Sequence, residues 1–307
     1  MKQSLHDYMR VGIVHFMAYP FAMSGEGPIA DSVAKIVCDE FFESIEVTHV
    51  DVPDEHERVK NLLTTSGVRV GFGAQPFILR GKLDLNSPDP EKRQQAIDVL
   101  KGAVDQAYAF GARKFGFLSG PRPQAKEQQE KALELLAGSI TEIGRYAQSK
   151  GDLMLSLETF DDSTDKRALI GSNRLAVELA QEVRKSVPSF GLMIDLSHLP
   201  MQTETIHEAL HVSADYINHA HIGTCVINDP TDPAFGDKHP YFGHPKGECK
   251  VPEVREFLRG LLENGYLVED AADRNIVAFE VQPLGEQTSE AVIADAKRTL
   301  REAWRTL

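Results

Sequence analysis

A chain of 307 residues, 42% hydrophobic and 26% charged, has the make-up of a soluble globular protein and can bury a large core in one domain or two. A formal net charge of −13 argues against nucleic-acid or membrane partners, since both recruit proteins through a basic surface. Three cysteines (Cys38, Cys225 and Cys249) without CxxC spacing read as reduced thiols, residues 1–10 lack a signal-peptide apolar stretch, and no window reaches about 18 consecutive apolar residues, so a cytoplasmic protein is expected.

Short apolar runs alternate with segments of helical period along the whole chain. In order, a strand at 11–17 (VGIVHFM) precedes a helix at 27–42. Strand 45–50 (IEVTHV) precedes helix 54–64, and strand 68–73 (VRVGFG) precedes helix 91–110. Strand 114–119 (KFGFLS) is followed by helix 123–150, and strand 153–159 (LMLSLET) by helix 169–187. Strand 191–195 (GLMID) leads to helix 203–213, strand 216–222 (YINHAHI) to helix 251–265, and strand 276–282 (IVAFEVQ) to helix 286–306. Pro90, with acidic neighbours, marks a helix start, and Gly111 sits where a C-terminal cap belongs. Eight strand–helix units predict an α/β fold, a single (β/α)8 TIM barrel spanning 1–307. A doubly wound open sheet would be expected to carry a Gly-rich phosphate loop; GFG at 71–73 lacks the third glycine and the helix start. The one long loop, 223–250, is placed to close over a site.

Four strand-like runs end in a residue that a metal accepts: Glu158 in LMLSLETF, Asp195 in FGLMIDLSH, His221 in INHAHIG and Glu280 in NIVAFEVQP. Burying a carboxylate costs several kcal/mol unless a partner or a metal compensates. In a barrel these four fall at the C-terminal ends of strands five to eight, adjacent and able to converge. Three carboxylates and one imidazole suit a borderline-hard divalent ion, Mn2+ first, with Mg2+, Co2+ and Zn2+ also compatible. Each residue has a plainer reading: Glu158 paired with an arginine, Asp195 capping the turn before LSHLP, and one of His219 and His221, which share a strand face, simply packed inside. Asp195 and His198 form an Asp-x-x-His pair; Asp237 and His239 form an Asp-x-His pair in the long loop, where turns also favour such residues.

The order LxxE…IDxxH…HxH…DxH…FE resembles the xylose isomerase-like TIM-barrel superfamily over nearly the whole chain. That group includes sugar and sugar-phosphate isomerases and epimerases, inosose dehydratases and type IV apurinic endonucleases. The epimerase resemblance implies one Mn2+ or similar ion held by Glu158, Asp195, His221 and Glu280, with Glu158 and Glu280 also acting as acid and base on either face of the substrate. It implies that His198 touches a substrate oxygen. The arginine usual six residues after the metal histidine is here Ile227, so contacts on that side differ. The endonuclease resemblance implies a second metal on His198, Asp237 and His239; a further zinc needs histidines where Gln75 and Ser119 stand, so a three-metal phosphodiester site is not expected.

The function so implied is divalent-metal-dependent isomerisation or epimerisation of a small sugar or related polyhydroxy carbonyl compound, by proton transfer through a metal-held enediolate. A dehydratase of a keto-inositol-like compound comes second, a hydrolase of abasic nucleic acid third, and a non-catalytic sugar-binding barrel last. His198, Asp237 and His239 are expected to orient substrate hydroxyls under a lid rather than hold a second ion. Lys246 and Arg255 are candidate anion contacts, and related barrels often form homo-oligomers.

Overall fold

The computed structural model describes residue 1 and residues 3–307. Eight strands form one sheet: β1 Arg10–Ile13, β2 Ser44–Val47, β3 Arg69–Gly73, β4 Lys114–Phe117, β5 Met154–Glu158, β6 Gly191–Asp195, β7 Ile217–Ile222 and β8 Ile276–Phe279. They pair in the order β1-β8-β7-β6-β5-β4-β3-β2, every ladder parallel. The ends of that order meet through a parallel bridge between Val14 and Glu46, and the Glu43 amide donates to the Val11 carbonyl at 2.9 Å. The result is a nearly closed TIM barrel, with helices Ile29–Val37, Pro53–Ser66, Pro90–Ala109, Lys126–Gln148, Asn173–Val183, Ile206–Ser213, Val251–Glu263 and Ser289–Arg305 between or after the strands.

Strand side chains alternate between two faces, and here the faces differ in chemistry. Val11, Ile13, Ile45, Val47, Val70, Phe72, Phe115, Phe117, Leu155, Leu157, Leu192, Ile194, Ile222, Val277 and Phe279 all belong to the apolar core. Phe72 and Phe115 stack across β3 and β4 with centroids 5.8 Å apart and planes within 3°. Most of the alternate positions point into the barrel as small or polar residues, among them Ser44, Glu46, Lys114, Ser156, Glu158, Asp195, His219 and His221, all buried, with Met193 and Ile276 as apolar exceptions. The hydrophobic load therefore sits between sheet and helices, and the barrel interior is left for polar groups.

Local signals explain the boundaries. Asp89 caps helix Pro90–Ala109 by accepting from the Glu91 and Lys92 amides at 3.0 and 3.4 Å, and Gly111 follows that helix at φ +71°. The first strand is shorter than its apolar run suggests: after Ile13 the chain turns into a helical segment, His15–Ala18, which ends at Tyr19, driven out of the helical region before Pro20. Two short helices, Gln75–Gly81 and Leu199–Gln202, lie where the periodicity marks none; each carries a proline in its first turn, Pro76 and Pro200. Helix Asn173–Val183 starts later than the apolar pattern because Ser172 caps it through the Leu175 amide at 3.3 Å. Residues 223–250 form the long connection after β7, as expected. Among the described residues no helix is long and apolar enough to cross a membrane.

The two faces should respond differently to truncation. Phe115→Ala removes a fully buried ring from the apolar layer and is expected to cost about 3–5 kcal/mol in urea unfolding. Ser156→Ala, on the inner face, removes a buried hydroxyl that has no hydrogen-bond partner among the described residues, and is expected to change stability by less than about 1 kcal/mol.

Candidate functional site

Glu158 ends β5, Asp195 ends β6, His221 lies one residue before the end of β7, and Glu280 follows β8 directly. The Glu280 amide still donates to the Ile222 carbonyl at 2.9 Å, which extends the ladder far enough to aim its side chain inward. One ligand atom from each of the four falls within 4.8 Å of the others, and all four residues are buried. His221 Nδ1 lies 2.7 Å from Glu280 Oε2 and 3.7 Å from Glu158 Oε1. Glu158 Oε1 is buried and has no hydrogen-bond partner among the described residues. A buried carboxylate oxygen left in that state is what a divalent cation would satisfy, and a three-carboxylate, one-imidazole donor set suits such an ion.

Each donor is held by a neighbour. Gln75, at the start of the short helix after β3, donates from Nε2 to Glu158 Oε2 at 2.8 Å. Asp195 accepts at Oδ1 from the Ser197 amide and at Oδ2 from the Ser197 hydroxyl, both at 2.8 Å, so it combines a turn-capping role with an inward carboxylate. On β7, His219 and His221 do share the inner face, but His219 is outside the four-donor set: its Nε2 lies 2.7 Å from Glu46 Oε1 on β2. His221 Nε2 lies 2.9 Å from the same oxygen.

A second cluster adjoins the first. His198 Nε2 and His239 Nε2 lie 3.0 and 2.6 Å from Asp237 Oδ1, and Asp195 Oδ2 and Glu280 Oε1 approach them at 3.6 Å each. His198 Nδ1 faces the Thr159 carbonyl at 2.8 Å and Nε2 faces the Asp237 carboxylate; both partners only accept, so both nitrogens carry protons here, and although burial would lower this imidazole, Asp195, Asp237 and Glu158 raise it well above its ordinary value. His239 occupies the left-handed region at φ +46°, its carbonyl accepting from the Gln282 amide at 2.7 Å. Gly223 gives it room, since a Cβ there would stand 2.9 Å from His239 Nδ1 and 2.6 Å from the Glu280 carbonyl oxygen. Asp237 is gripped from outside by the loop after β5: Lys166 Nζ reaches its Oδ2 at 2.9 Å, and Asp165 Oδ2 accepts from its amide at 3.0 Å. That loop is wound around Asp161, whose carboxylate accepts from the amides of Ser163, Thr164, Asp165, Lys166 and Arg167.

The site opens into a cleft of about 250 Å³. Its lining combines apolar Phe16, Met17, Met23, Leu79 and Phe160 with polar Gln75, Lys166, Asp237, Glu280 and Gln282. A cavity of about 470 Å³ at the opposite end of the barrel, near Arg10, Arg69, Arg113 and Arg274, touches none of these residues. Ser119 makes backbone contacts with Gly120 and Ile170, and Lys246 is paired with Asp229 and Asp232 at 2.6 and 3.0 Å. Gln75, Glu46, Ser197 and Lys166 support the site without a motif of their own; only Glu46 left a trace in the sequence, as an acidic residue inside an apolar strand run.

Burial and crowding shift the site's protonation. Desolvation, with the charge of Glu158, pushes Glu280 up to about 7 against the pull of His239 and His221. Burial alone would lower His239, but Glu280, Asp237 and Asp195 raise it to about 9. Both groups bind protons more tightly folded than unfolded, so the metal-free fold loses stability as pH rises from about 4.5 through about 7 for Glu280 and from 6.5 through about 9 for His239. Buried His15, held down to about 3, and His219 oppose this slope below about 6.5, and Lys114, lowered to about 8 by burial, opposes it above about 8, so melting of chelator-treated protein is expected to fall between about pH 6.5 and pH 8. A divalent cation should reverse the trend, because its ligands bind deprotonated; a metal-free melting temperature that rises over that range would contradict the assignment.

The comparisons agree with this architecture. The chain superposes on a D-tagatose 3-epimerase-like protein with a TM-score of 0.71 at 16% identity, covering 97% of this chain and 99% of that one. It superposes on D-allulose 3-epimerase from Methylomonas sp. with a TM-score of 0.67 at 16% identity, covering 96% and 98%. The IOLI protein with a bound zinc atom gives 0.70 at 16% identity, covering 96% and 98%. Likenesses at such identity speak to the fold. No curated protein matches the sequence. A family model described as xylose isomerase-like TIM barrel matches residues 38–303, and the chain belongs to that family.

Proposed function

We propose that the protein is a divalent-metal-dependent isomerase or epimerase of a small sugar or related polyhydroxy carbonyl compound. The observation that carries this reading is the convergence of Glu158, Asp195, His221 and Glu280 on one buried point, with Glu280 also lining a monosaccharide-scale cleft. These four residues would hold the cation. When bound, it supplies Lewis-acid polarisation of a carbonyl and its neighbouring hydroxyl.

The rest follows from the chain's own groups. Glu158 and Glu280 approach from β5 and β8, so one can take the proton from the carbon bearing the hydroxyl while the other returns a proton to the opposite face. Positioned acid–base groups contribute roughly 10^2–10^4-fold each. Gln75 fixes the orientation of Glu158 through its 2.8 Å hydrogen bond. His198 and His239 would orient substrate hydroxyls, and Phe16, Met17, Met23 and Phe160 would keep water from the enediolate. The neighbouring sugar epimerases of the same fold support a carbohydrate substrate. A dehydratase of a keto-inositol-like compound would use the same acid and base and differ in expelling a hydroxide.

The test is incubation with a panel of ketoses in D2O with Mn2+, Mg2+, Co2+ or Zn2+. Deuterium at the carbon that changes configuration is expected, and its absence across the panel in metal-loaded protein overturns the proposal. Glu280→Gln should lower turnover by about 10^2–10^4-fold and weaken metal binding by more than about tenfold; unchanged metal content and turnover would remove Glu280 from the site.

One observation favours a second ion: His198 Nε2 and His239 Nε2 both lie within 3.0 Å of Asp237 Oδ1, with Asp195 and Glu280 set between the clusters. The four strand-end ligands already suffice for single-metal chemistry. His239→Ala is therefore expected to impair turnover and leave about one tightly bound metal per chain. Loss of one of two bound ions by elemental analysis would establish a binuclear centre instead.

A further inference from the structure

We propose that Glu46 is a positioning residue: its carboxylate accepts a hydrogen bond from the Nε2–H of His221 and so commits Nδ1 as the nitrogen presented to the metal. The inference rests on the cation binding proposed above and concerns how its imidazole ligand is fixed. Glu46 lies on β2, three strands around the barrel from β7, and its Oε1 crosses the interior to reach His221 Nε2 at 2.9 Å. It is 2% exposed, and His221 is 1% exposed, so water does not compete for this bond. The other imidazole nitrogen faces Glu280 Oε2 at 2.7 Å, within the four-donor set. Both imidazole nitrogens thus face carboxylates, but only Glu280 belongs to the four-donor set, so a cation bound there would replace the proton on Nδ1 and leave Glu46 to hold the one on Nε2, as a carboxylate behind a metal-bound histidine does in general.

Two further features are built around this acceptor. Gly71, on the neighbouring strand, leaves space for the Glu46 stem: a Cβ there would stand 2.8 Å from Glu46 Cγ. His219 Nε2 meets the same Oε1 at 2.7 Å, and the two imidazole rings sit edge-on at 4.9 Å. Glu46, His219 and His221 by themselves have the composition of a metal site. The buried Lys114 amine donates to the Asn218 carbonyl; burial lowers it to about 8 against the pull of Glu46, so at neutral pH it is still mostly charged and disfavours a metal ion between these three. Glu46 is left as an acceptor for two N–H groups.

The decisive measurement uses wild-type protein labelled with 15N and saturated with Zn2+, read by long-range 1H–15N imidazole correlations. The expected spectrum has His221 protonated at Nε2 and metal-bound at Nδ1. Ligation through Nε2, or an unprotonated Nε2, overturns the proposal while leaving the metal centre intact. Failure of Zn2+ to bind at all removes the metal reading and this inference together. Chelator competition on Glu46→Gln is expected to show Zn2+ binding weakened by about 10–100-fold, with near-UV circular dichroism preserved. Unchanged affinity in the folded variant also overturns it, and should the variant not fold, the wild-type spectrum still decides.

Discussion

Every part of this barrel answers to the desolvation of charge. Glu46, Glu158, Asp195 and Glu280 are at most 7% exposed, and a buried carboxylate is tolerated only where donors or cations compensate it. The inner face supplies them in tiers. His219 and His221 serve Glu46; Ser197 serves Asp195; Gln75 serves Glu158. Burial would raise the carboxyl of Glu46, but the two imidazoles hold it well below the usual carboxylate range. Burial would likewise lower His221, and Glu46 and Glu280 instead raise it well above the usual imidazole range. Such a network specifies one arrangement strongly, because any rotamer change strands a charge without its partner.

This interior is stable only because the hydrophobic work is done elsewhere. The stacked Phe72 and Phe115, with Phe117, Leu157, Ile194 and Phe279, form the apolar layer on the outward face. Inner positions are then free to be glycine, serine or ionisable. Inner-barrel packing in folds of this type usually relies on branched apolar residues; here β2, β4 and β7 carry Glu46, Lys114 and His219 on that face instead.

The fold was legible because alternation of apolar runs and helical segments is a property of local sequence, and eight repeats leave few topologies. The strand-end ligands were legible for a related reason: a charge at the end of an apolar run is locally anomalous. Boundaries were less so, since β1 ends at Ile13 while its apolar run continues into a helical turn. The supporting contacts were out of reach because they are long-range. Gln75 meets Glu158 across 83 residues and Glu46 meets His221 across 175, and nothing near either residue in sequence announces its partner. Lys166 is the same case: an ordinary loop lysine until the fold places it against Asp237.

The grip of the β5 loop on Asp237 has a consequence for how such proteins diversify. Asp161 prearranges that loop by collecting five backbone amides, and the loop in turn offers Asp165 and Lys166 to the segment after β7. Neither segment is self-sufficient at the contact. A β7 loop transplanted from another barrel would arrive without its matching lysine, and a redesigned β5 loop would leave Asp237 as an unbalanced charge. The two loops therefore form one exchangeable module, to be inherited, grafted or engineered as a pair.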